Sequence, residues 1–318
     1  MTALQTTPPT PFALRHLTRD DWREVAELIH LSTNYWYQAN GKPPVFTGDP
    51  SACEIFCATY ESLDPGCCLL ATHPETGRVV GSCFYHPRPT HISIGIVNVH
   101  PNYFGQGVAR LLMDFVVRLS EQEQKPLRLV SSAMNLDSFS LYTRAGFVPR
   151  MAFQDMYLPV PEQGLSVPAL PESGRVREAT TDDVPAIAAF EQVQVGITRE
   201  NDYRHFIRNR DGIWGLSVLE AEDGAISGFL ASVAHPASTM LGPGVAFTED
   251  GAAALLRHRL NALRGKTPVF LVPVHCANLV QRLYGWGARN CEMHFLQVRG
   301  DYPTPTAVLM PTFLPETG

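Results

Sequence analysis

Residues 91–119, HISIGIVNVHPNYFGQGVARLLMDFVVRL, hold a strand, a glycine turn and a helix in immediate succession. Over His91–Val99 the apolar residues alternate: Ile92, Ile94 and Ile96 point one way, while His91, Ser93, Gly95, Val97 and Val99 point the other. The isoleucine set is a face to bury, and the second set is small enough in its middle for another extended chain to lie against it. Pro101 and Asn102 break the strand, and Gly105-Gln106-Gly107 allow backbone angles that side chains resist. Val108, Leu111, Leu112, Phe115, Val116 and Leu119 then recur at helical spacing and form one apolar stripe. A glycine loop feeding a helix start leaves backbone N–H groups aimed at one spot, where the helix dipole adds partial positive charge. The spot suits a phosphate.

Two familiar phosphate loops do not fit. A Walker loop needs Gly-Lys-Ser/Thr, and no lysine follows these glycines. A dinucleotide fingerprint needs a third glycine where Arg110 stands. An ordinary strand–turn–helix stays open on these residues alone. The pattern Val99-His100-Pro101, then Phe104-Gly105-Gln106-Gly107-Val108-Ala109, resembles motif A of the GNAT superfamily of N-acetyltransferases. Phe104 departs from the family's usual Gln or Arg. The resemblance implies that acetyl-CoA is bound by Val97, Asn98 and Val99 along the strand and by Phe104 to Arg110 in the loop and helix start. Because the family holds the pyrophosphate chiefly through loop amides, Phe104 is expected to be tolerated.

A second signal follows. Asn135-Leu136-Asp137-Ser138-Phe139-Ser140-Leu141-Tyr142-Thr143-Arg144-Ala145-Gly146-Phe147 resembles motif B of the same superfamily. The resemblance makes Asn135 the residue that hydrogen-bonds the pantetheine arm. It makes Tyr142 the phenol that protonates the departing thiolate. Taken alone, Tyr142 is equally a packed helix tyrosine; two motifs in order with a strand between them carry the assignment.

The chain has 318 residues, enough for two cores, and a net charge of −6, which gives no electrostatic basis for binding nucleic acid or anionic membrane. The opening MTALQTTPPTP has neither a basic segment nor an apolar run, so no signal peptide is expected, and no stretch has the apolar length of a membrane span. Cysteines at 53, 57, 67, 68, 83, 276 and 291 form no paired framework, which suggests reduced thiols in a cytoplasm. Cys53 and Cys57 read as small core residues or, at i, i+4, as ligands; no His/Asp/Glu cluster has metal spacing, and no metal is expected. The first half reads as a strand at 12–17, a helix capped by Thr18 to Asp21, an aromatic stretch between helices at 34–46, and a helix at 54–63. Strands at 67–71, 79–85 and 127–132, a helix at 135–144 and a closing pair of strands at 147–158 complete it. The aromatic stretch, with Tyr35, Trp36 and Tyr37, is either an acceptor-pocket wall or a cluster covering the core.

Residues 158–174 are dense in proline and read as a semi-rigid linker, after which the pattern starts again. Val176-Arg177-Glu178-Ala179-Thr180-Thr181-Asp182-Asp183 repeats Leu14 to Asp21 at an offset of 162. Ala253-Ala254-Leu255-Leu256 repeats Ala109 to Leu112 at 144, and Leu283-Tyr284 repeats Leu141-Tyr142 at 142. The expected architecture is therefore α/β (α+β): two tandem GNAT folds, each a mixed, mostly antiparallel sheet flanked by helices. Residues 1–158 form the acetyl-CoA domain, 175–300 a degenerate copy, and 301–318 a tail. In the copy Glu249 and Asp250 stand where Gly105 and Gln106 do, and Gly242-Pro243-Gly244 interrupts the preceding strand. Carboxylates there repel a pyrophosphate. The copy reads as structural or acceptor-shaping, or else as a weak or altered cofactor site.

The general base is open. Ser93 occupies the position where some family members carry a glutamate, and His91, two residues earlier on the same face, is a candidate proton relay or simply a strand-end histidine. The function implied is direct acetyl transfer from acetyl-CoA to a primary amine, of a small molecule or of a peptide N-terminus, by a cytoplasmic monomer or homodimer. A silent acyl-CoA-binding module and an interaction scaffold are the other classes the sequence leaves open.

Overall fold

The computed structural model describes residues 11–315. The chain forms two compact units. One contains the residues up to Tyr85 and Ile96–Gln122; the other contains His86–Gly95 and everything from Glu123 onward.

In the first unit, β1 (Ala13–His16) pairs antiparallel with β2 (Cys68–Thr72), and β2 with β3 (Val79–Pro87). β4 (Ile92–Val99) follows β3 in the order and carries the chain from one unit into the other. α1 (Trp22–Ala39) starts from a capping box in which Thr18 and Asp21 satisfy each other's backbone. Asp21 also accepts both arms of Arg15, at 2.6 and 2.7 Å, and these bonds hold its carboxyl down to about 2. α1 is longer than the sequence reading allowed: residues 34–39 are its last turns, not a connection between helices. Helix continues there because Asn34 is anchored on both sides of Phe46, accepting from its N–H at 2.9 Å and donating to its carbonyl at 2.8 Å. α2 is Glu54–Leu63, as expected. Cys53 and Cys57 are buried core residues whose thiols burial pushes up to about 12. α3 (Val108–Glu123) buries Val108, Leu112, Met113 and Val116, so the apolar stripe is centred one position away from Leu111 and Phe115, which are half-buried. It sits close on β3: a Cβ at Gly81 would lie 2.6 Å from Val108 Cγ1.

In the second unit, β5 (Leu127–Ser132) runs parallel to the start of β4, pairing Ile92 with Leu127 and Ser93 with Arg128. α4 (Leu136–Arg144) is N-capped by Asn135, and β6 (Val148–Tyr157) is one long strand where a pair was expected. It pairs along its length with β12 and, over 153–157, also with β11, so one continuous strand is held in place. The repeat then supplies β7 (Val176–Glu178), α5 (Val184–Val195), α6 (Glu200–Arg208), β8 (Trp214–Glu220) and β9 (Ile226–His235). It continues with β10 (Ser238–Ala246), α7 (Glu249–Ala262), β11 (Val269–Pro273), α8 (Ala277–Gly285) and β12 (Arg289–Arg299). The sheet order is β5-β12-β6-β11-β10-β9-β8-β7, mostly antiparallel. The last strand of the second repeat is thus inserted between β5 and β6 of the first.

The repeat is reproduced at atomic detail. Thr180 and Asp183 form the same capping box as Thr18 and Asp21, and Asp183 accepts both arms of Arg177 at 2.7 and 2.8 Å. Two expectations change here. The proline-rich stretch is packed rather than free, with Leu158 and Val160 in the core. Gly242-Pro243-Gly244 does not end its strand; β10 runs through it with a bulge between Leu241 and Gly244. The tail adds β13 (Val308–Met310), paired antiparallel with β10, while its final residues 316–318 lie outside the described ones. Among the described residues no helix is long and apolar enough to cross a membrane.

Candidate acetyl-CoA site

The glycine loop lies wholly in the first unit. A short 3₁₀ turn, Pro101–Tyr103, is capped by the His100 imidazole, whose Nδ1 accepts from the N–H of Asn102 at 3.2 Å. Gly105 and Gly107 then take φ of +74° and +84°, in the left-handed region that a Cβ resists. α3 begins at Val108. Among the described residues the amides of Gly107, Val108 and Ala109 find no backbone acceptor; the first closing bond is Leu111 N–H to the Gly107 carbonyl at 2.9 Å. Three donors therefore converge at a helix N-terminus. Phe104, the departure from the family pattern, is 46 % exposed and stands edge-on to Tyr35 of α1 with ring centroids 5.8 Å apart. It ties the loop to α1 by its ring and leaves the amides uncovered.

Upstream, Asn98 is buried and donates from Nδ2 to Ser32 Oγ on α1 at 2.7 Å, while its Oδ1 faces no donor among the described residues. Val97 and Val99 are half-buried. A buried amide oxygen without a donor, beside a strand that leads into an amide-lined loop, fits a ligand that brings both an amide N–H and a phosphate. The pantetheine and pyrophosphate of coenzyme A are such a pair.

In the second unit, Asn135 Oδ1 accepts from Ser138 N–H at 3.0 Å, so this oxygen caps α4 and the amide nitrogen is what it can offer a ligand. Tyr142 is 8 % exposed and meets Phe147 edge-on, with centroids 6.0 Å apart. Its repeat counterpart Tyr284 is exposed and donates to Gln154 Oε1 at 2.7 Å. The repeat's loop differs in kind. Thr248 caps α7 directly and no left-handed turn precedes the helix. Glu249 Oε2 accepts from Leu279 N–H at 2.6 Å, capping α8, and Asp250 pairs with Arg282 at 2.7 Å. The carboxylates do not merely crowd an anion cradle: they occupy helix-capping roles of their own, and no cradle is built.

His91 and Ser93 lie in the interior of the second unit, 1 % and 4 % exposed. Both ring nitrogens of His91 meet hydroxyls, Thr90 Oγ1 at 2.9 Å and Ser93 Oγ at 3.1 Å. Around them sits a charge network that the sequence did not suggest. Arg88 pairs with Asp202 at 2.8 Å, and Arg199 with Glu191 at 2.5 Å. Arg128, 2 % exposed, lies 5.7 Å from the Tyr302 ring, and burial lowers it to about 10. Burial first, then the guanidinium groups of Arg128, Arg199 and Arg88, hold the His91 imidazole well below its ordinary range. A group so enclosed and so reluctant to take a proton suits anchoring of β4 better than relay.

That environment has a pH signature. A histidine whose folded value lies below its unfolded one, about 6.5, leaves the unfolded chain binding more protons in acid. Stability should therefore fall as pH drops below about 6.5, by up to about 1.4 kcal/mol per pH unit for one such group. His91→Gln, with denaturant unfolding followed from pH 7 to pH 5, should flatten that slope; an unchanged slope would assign it to other groups.

A mixed sheet with helices on it, a glycine loop between β4 and α3 and a tyrosine-bearing helix after β5 are the elements expected of an acyl-CoA-dependent transferase. Residues 20–147 match the family model described as "Acetyltransferase (GNAT) family" and residues 187–304 that described as "Acetyltransferase (GNAT) domain". Together they span well over half of the chain, which belongs to the GNAT acetyltransferases, and acetyl-CoA is the family's acetyl donor. Among solved structures, a candidate acetyltransferase from Pyrococcus horikoshii superposes with TM-score 0.71 at 15 % identity, over 96 % of both chains. A GCN5-related N-acetyltransferase from Sphaerobacter thermophilus gives 0.62 at 17 % identity, over 93 % of this chain and 98 % of that one. A tandem GNAT protein of clavulanic acid biosynthesis gives 0.58 at 14 % identity, over 92 % and 99 %. At these identities the likeness is one of fold. A curated Bacillus subtilis protein, described as UPF0157 protein YqkA, is 32 % identical over 77 residues, which are 24 % of this chain and only 22 % of the relative's length.

Proposed function

We propose that the chain is an N-acetyltransferase that moves the acetyl group of acetyl-CoA directly to the primary amine of a small molecule. The observation that carries the reading is the glycine loop before α3, where the amides of Gly107, Val108 and Ala109 find no backbone acceptor among the described residues. Acetyl-CoA supplies the activated thioester. The chain's own part is to fix the donor's phosphates with the loop amides and α3 dipole, and to offer Asn98 Oδ1 to an amide of the pantetheine arm. Backbone N–H groups of β4 steady the developing negative charge on the acetyl oxygen. Tyr142 delivers a proton from its phenol to the leaving sulfur. Partly exposed aromatic faces at Tyr35, Trp36 and Phe104 suit the carbon skeleton of a small amine. The second repeat, without a cradle, serves by shaping and stabilising the fold.

Thiol release from acetyl-CoA, measured against a panel of small amines and short peptides, tests the reading. A small amine should raise release well above the rate without acceptor. Acceleration by peptides only would make this a protein N-acetyltransferase, and binding without any acceleration a silent acyl-CoA module. With a productive amine, Tyr142→Phe should lower kcat by about 10²-fold while leaving acetyl-CoA affinity within about twofold. Full activity in Tyr142→Phe would hand the proton to another group.

A further inference from the structure

The proposed reaction needs a group that accepts the amine's proton, and the interior placement of His91 leaves that role unfilled. The insertion of β12 between β5 and β6 assembles a different set of residues, all in the second unit. In register, His294 stands opposite Ser132 on one side and Phe153 on the other, and Glu292 stands opposite Asp155. Opposed residues share a face of the sheet, so Ser132, Asp155, Glu292 and His294 project together. His294 Nδ1 lies 2.9 Å from Asp155 Oδ1, and both residues are buried, at 7 % and 3 %. Ser132 Oγ donates to Glu292 Oε1 and accepts from Met134 N–H at 3.1 Å.

We infer that His294, oriented by Asp155, is the general base that takes the proton from the acceptor amine; this rests on the reading of the chain as an N-acetyltransferase. Three observations lead there. First, an ionised Asp155 carboxylate can only accept, so it places the hydrogen of a neutral imidazole on Nδ1 and leaves the lone pair on Nε2. Among the described residues Nε2 has no hydrogen-bond partner. A base with its tautomer fixed and its lone pair unspent is what proton abstraction requires. Second, the dyad is tied to the helix of Tyr142. Ser132, which faces His294, ends β5; Met134 bonds back to Ser132, and Asn135 caps α4. The base and the acid thus stand on adjoining elements of one unit. Third, Phe313 from the C-terminal segment lies against the imidazole, with centroids 4.7 Å apart and planes at 50°, an apolar wall that limits water. In the step, the amine nitrogen bonds to the acetyl carbon as the carbon–sulfur bond breaks. His294 Nε2 takes the nitrogen's proton, the Tyr142 phenol gives one to the sulfur, and solvent restores both groups.

The test uses the full chain, acetyl-CoA and the best amine of the panel, with His294→Gln and Asp155→Asn. His294→Gln should lower kcat/KM by about 10²-fold or more at neutral pH, leave acetyl-CoA affinity within about twofold, and abolish the acidic limb of the pH–rate profile. Asp155→Asn keeps the imidazole and loses the tautomer control, so the limb should shift and the rate fall. A folded, acetyl-CoA-binding His294→Gln enzyme with the wild-type limb overturns the inference. If His294→Gln does not fold, Asp155→Asn decides: a wild-type limb there overturns it equally. Wild-type protein that accelerates with no amine sinks the transferase reading and this inference with it, whereas active wild type with unmoved limbs sinks this inference alone.

Discussion

Replacing Gly105 by glutamate and Gln106 by aspartate, the residues of the second repeat, should weaken acetyl-CoA binding at least about 100-fold. Two effects add. Gly105 sits at φ +74°, where any side chain is strained, although a Cβ there would meet no atom within 4 Å. The new carboxylates would face a pyrophosphate held by amides, and a like-charge pair a few ångströms apart costs on the order of kcal/mol even in a partly solvated site. A Gly105→Ala control separates the two: strain alone should cost about tenfold or less, and the remainder is charge. Isothermal titration of acetyl-CoA against wild type, control and double variant checks this. Unaltered affinity in the double variant would place the donor's phosphates away from this loop.

The largest stability loss is expected at Glu191, a carboxylate with no exposure that accepts from Arg199 Nε at 3.0 Å, from Arg199 Nη2 at 2.5 Å and from the Tyr203 hydroxyl. Removing it strands the Arg199 guanidinium, 2 % exposed, in the interior. Breaking one side of a buried pair costs about 3–5 kcal/mol, so Glu191→Ala should lower Tm by at least about 5 °C. Replacing both ends with apolar residues of similar volume, Glu191→Leu with Arg199→Met, should recover most of that, because no uncompensated charge is left. A double variant no more stable than Glu191→Ala would mean that the pair itself, rather than the stranded charge, sets the loss.

The fold was readable where local rules and tertiary packing agree. β5, α2 and the start of α3 fall where periodicity and caps put them, and Arg15–Asp21 and Arg177–Asp183 show that a repeated motif repeats its hydrogen bonds. Where they disagree, packing decides. α1 extends through an aromatic stretch because Asn34 and Phe46 fasten its end, and β10 crosses a Gly-Pro-Gly because a bulge absorbs it. The glycine loop was visible because a left-handed glycine turn before an apolar stripe is a local pattern. The buried arginine network and the His294–Asp155 dyad were not. Arg88, Arg128 and Arg199, like Asp155 and His294, are far apart in sequence and carry no motif; the β4–β5 pairing sets Arg128 beside Ser93, and the insertion of β12 sets Glu292 opposite Asp155 and His294 opposite Phe153. Glu249 and Asp250 were visible as lost glycines, but not their capping of α8 and pairing with Arg282, which depend on where α8 lies.

The central claim is that this chain carries the acetyl-CoA cradle pattern twice and kept it once. The most direct measurement is the stoichiometry of acetyl-CoA binding by calorimetry, on the wild-type chain and on the Gly105→Glu, Gln106→Asp variant. One molecule per chain, lost in the variant, is the predicted result; two per chain, or one that persists in the variant, would contradict it.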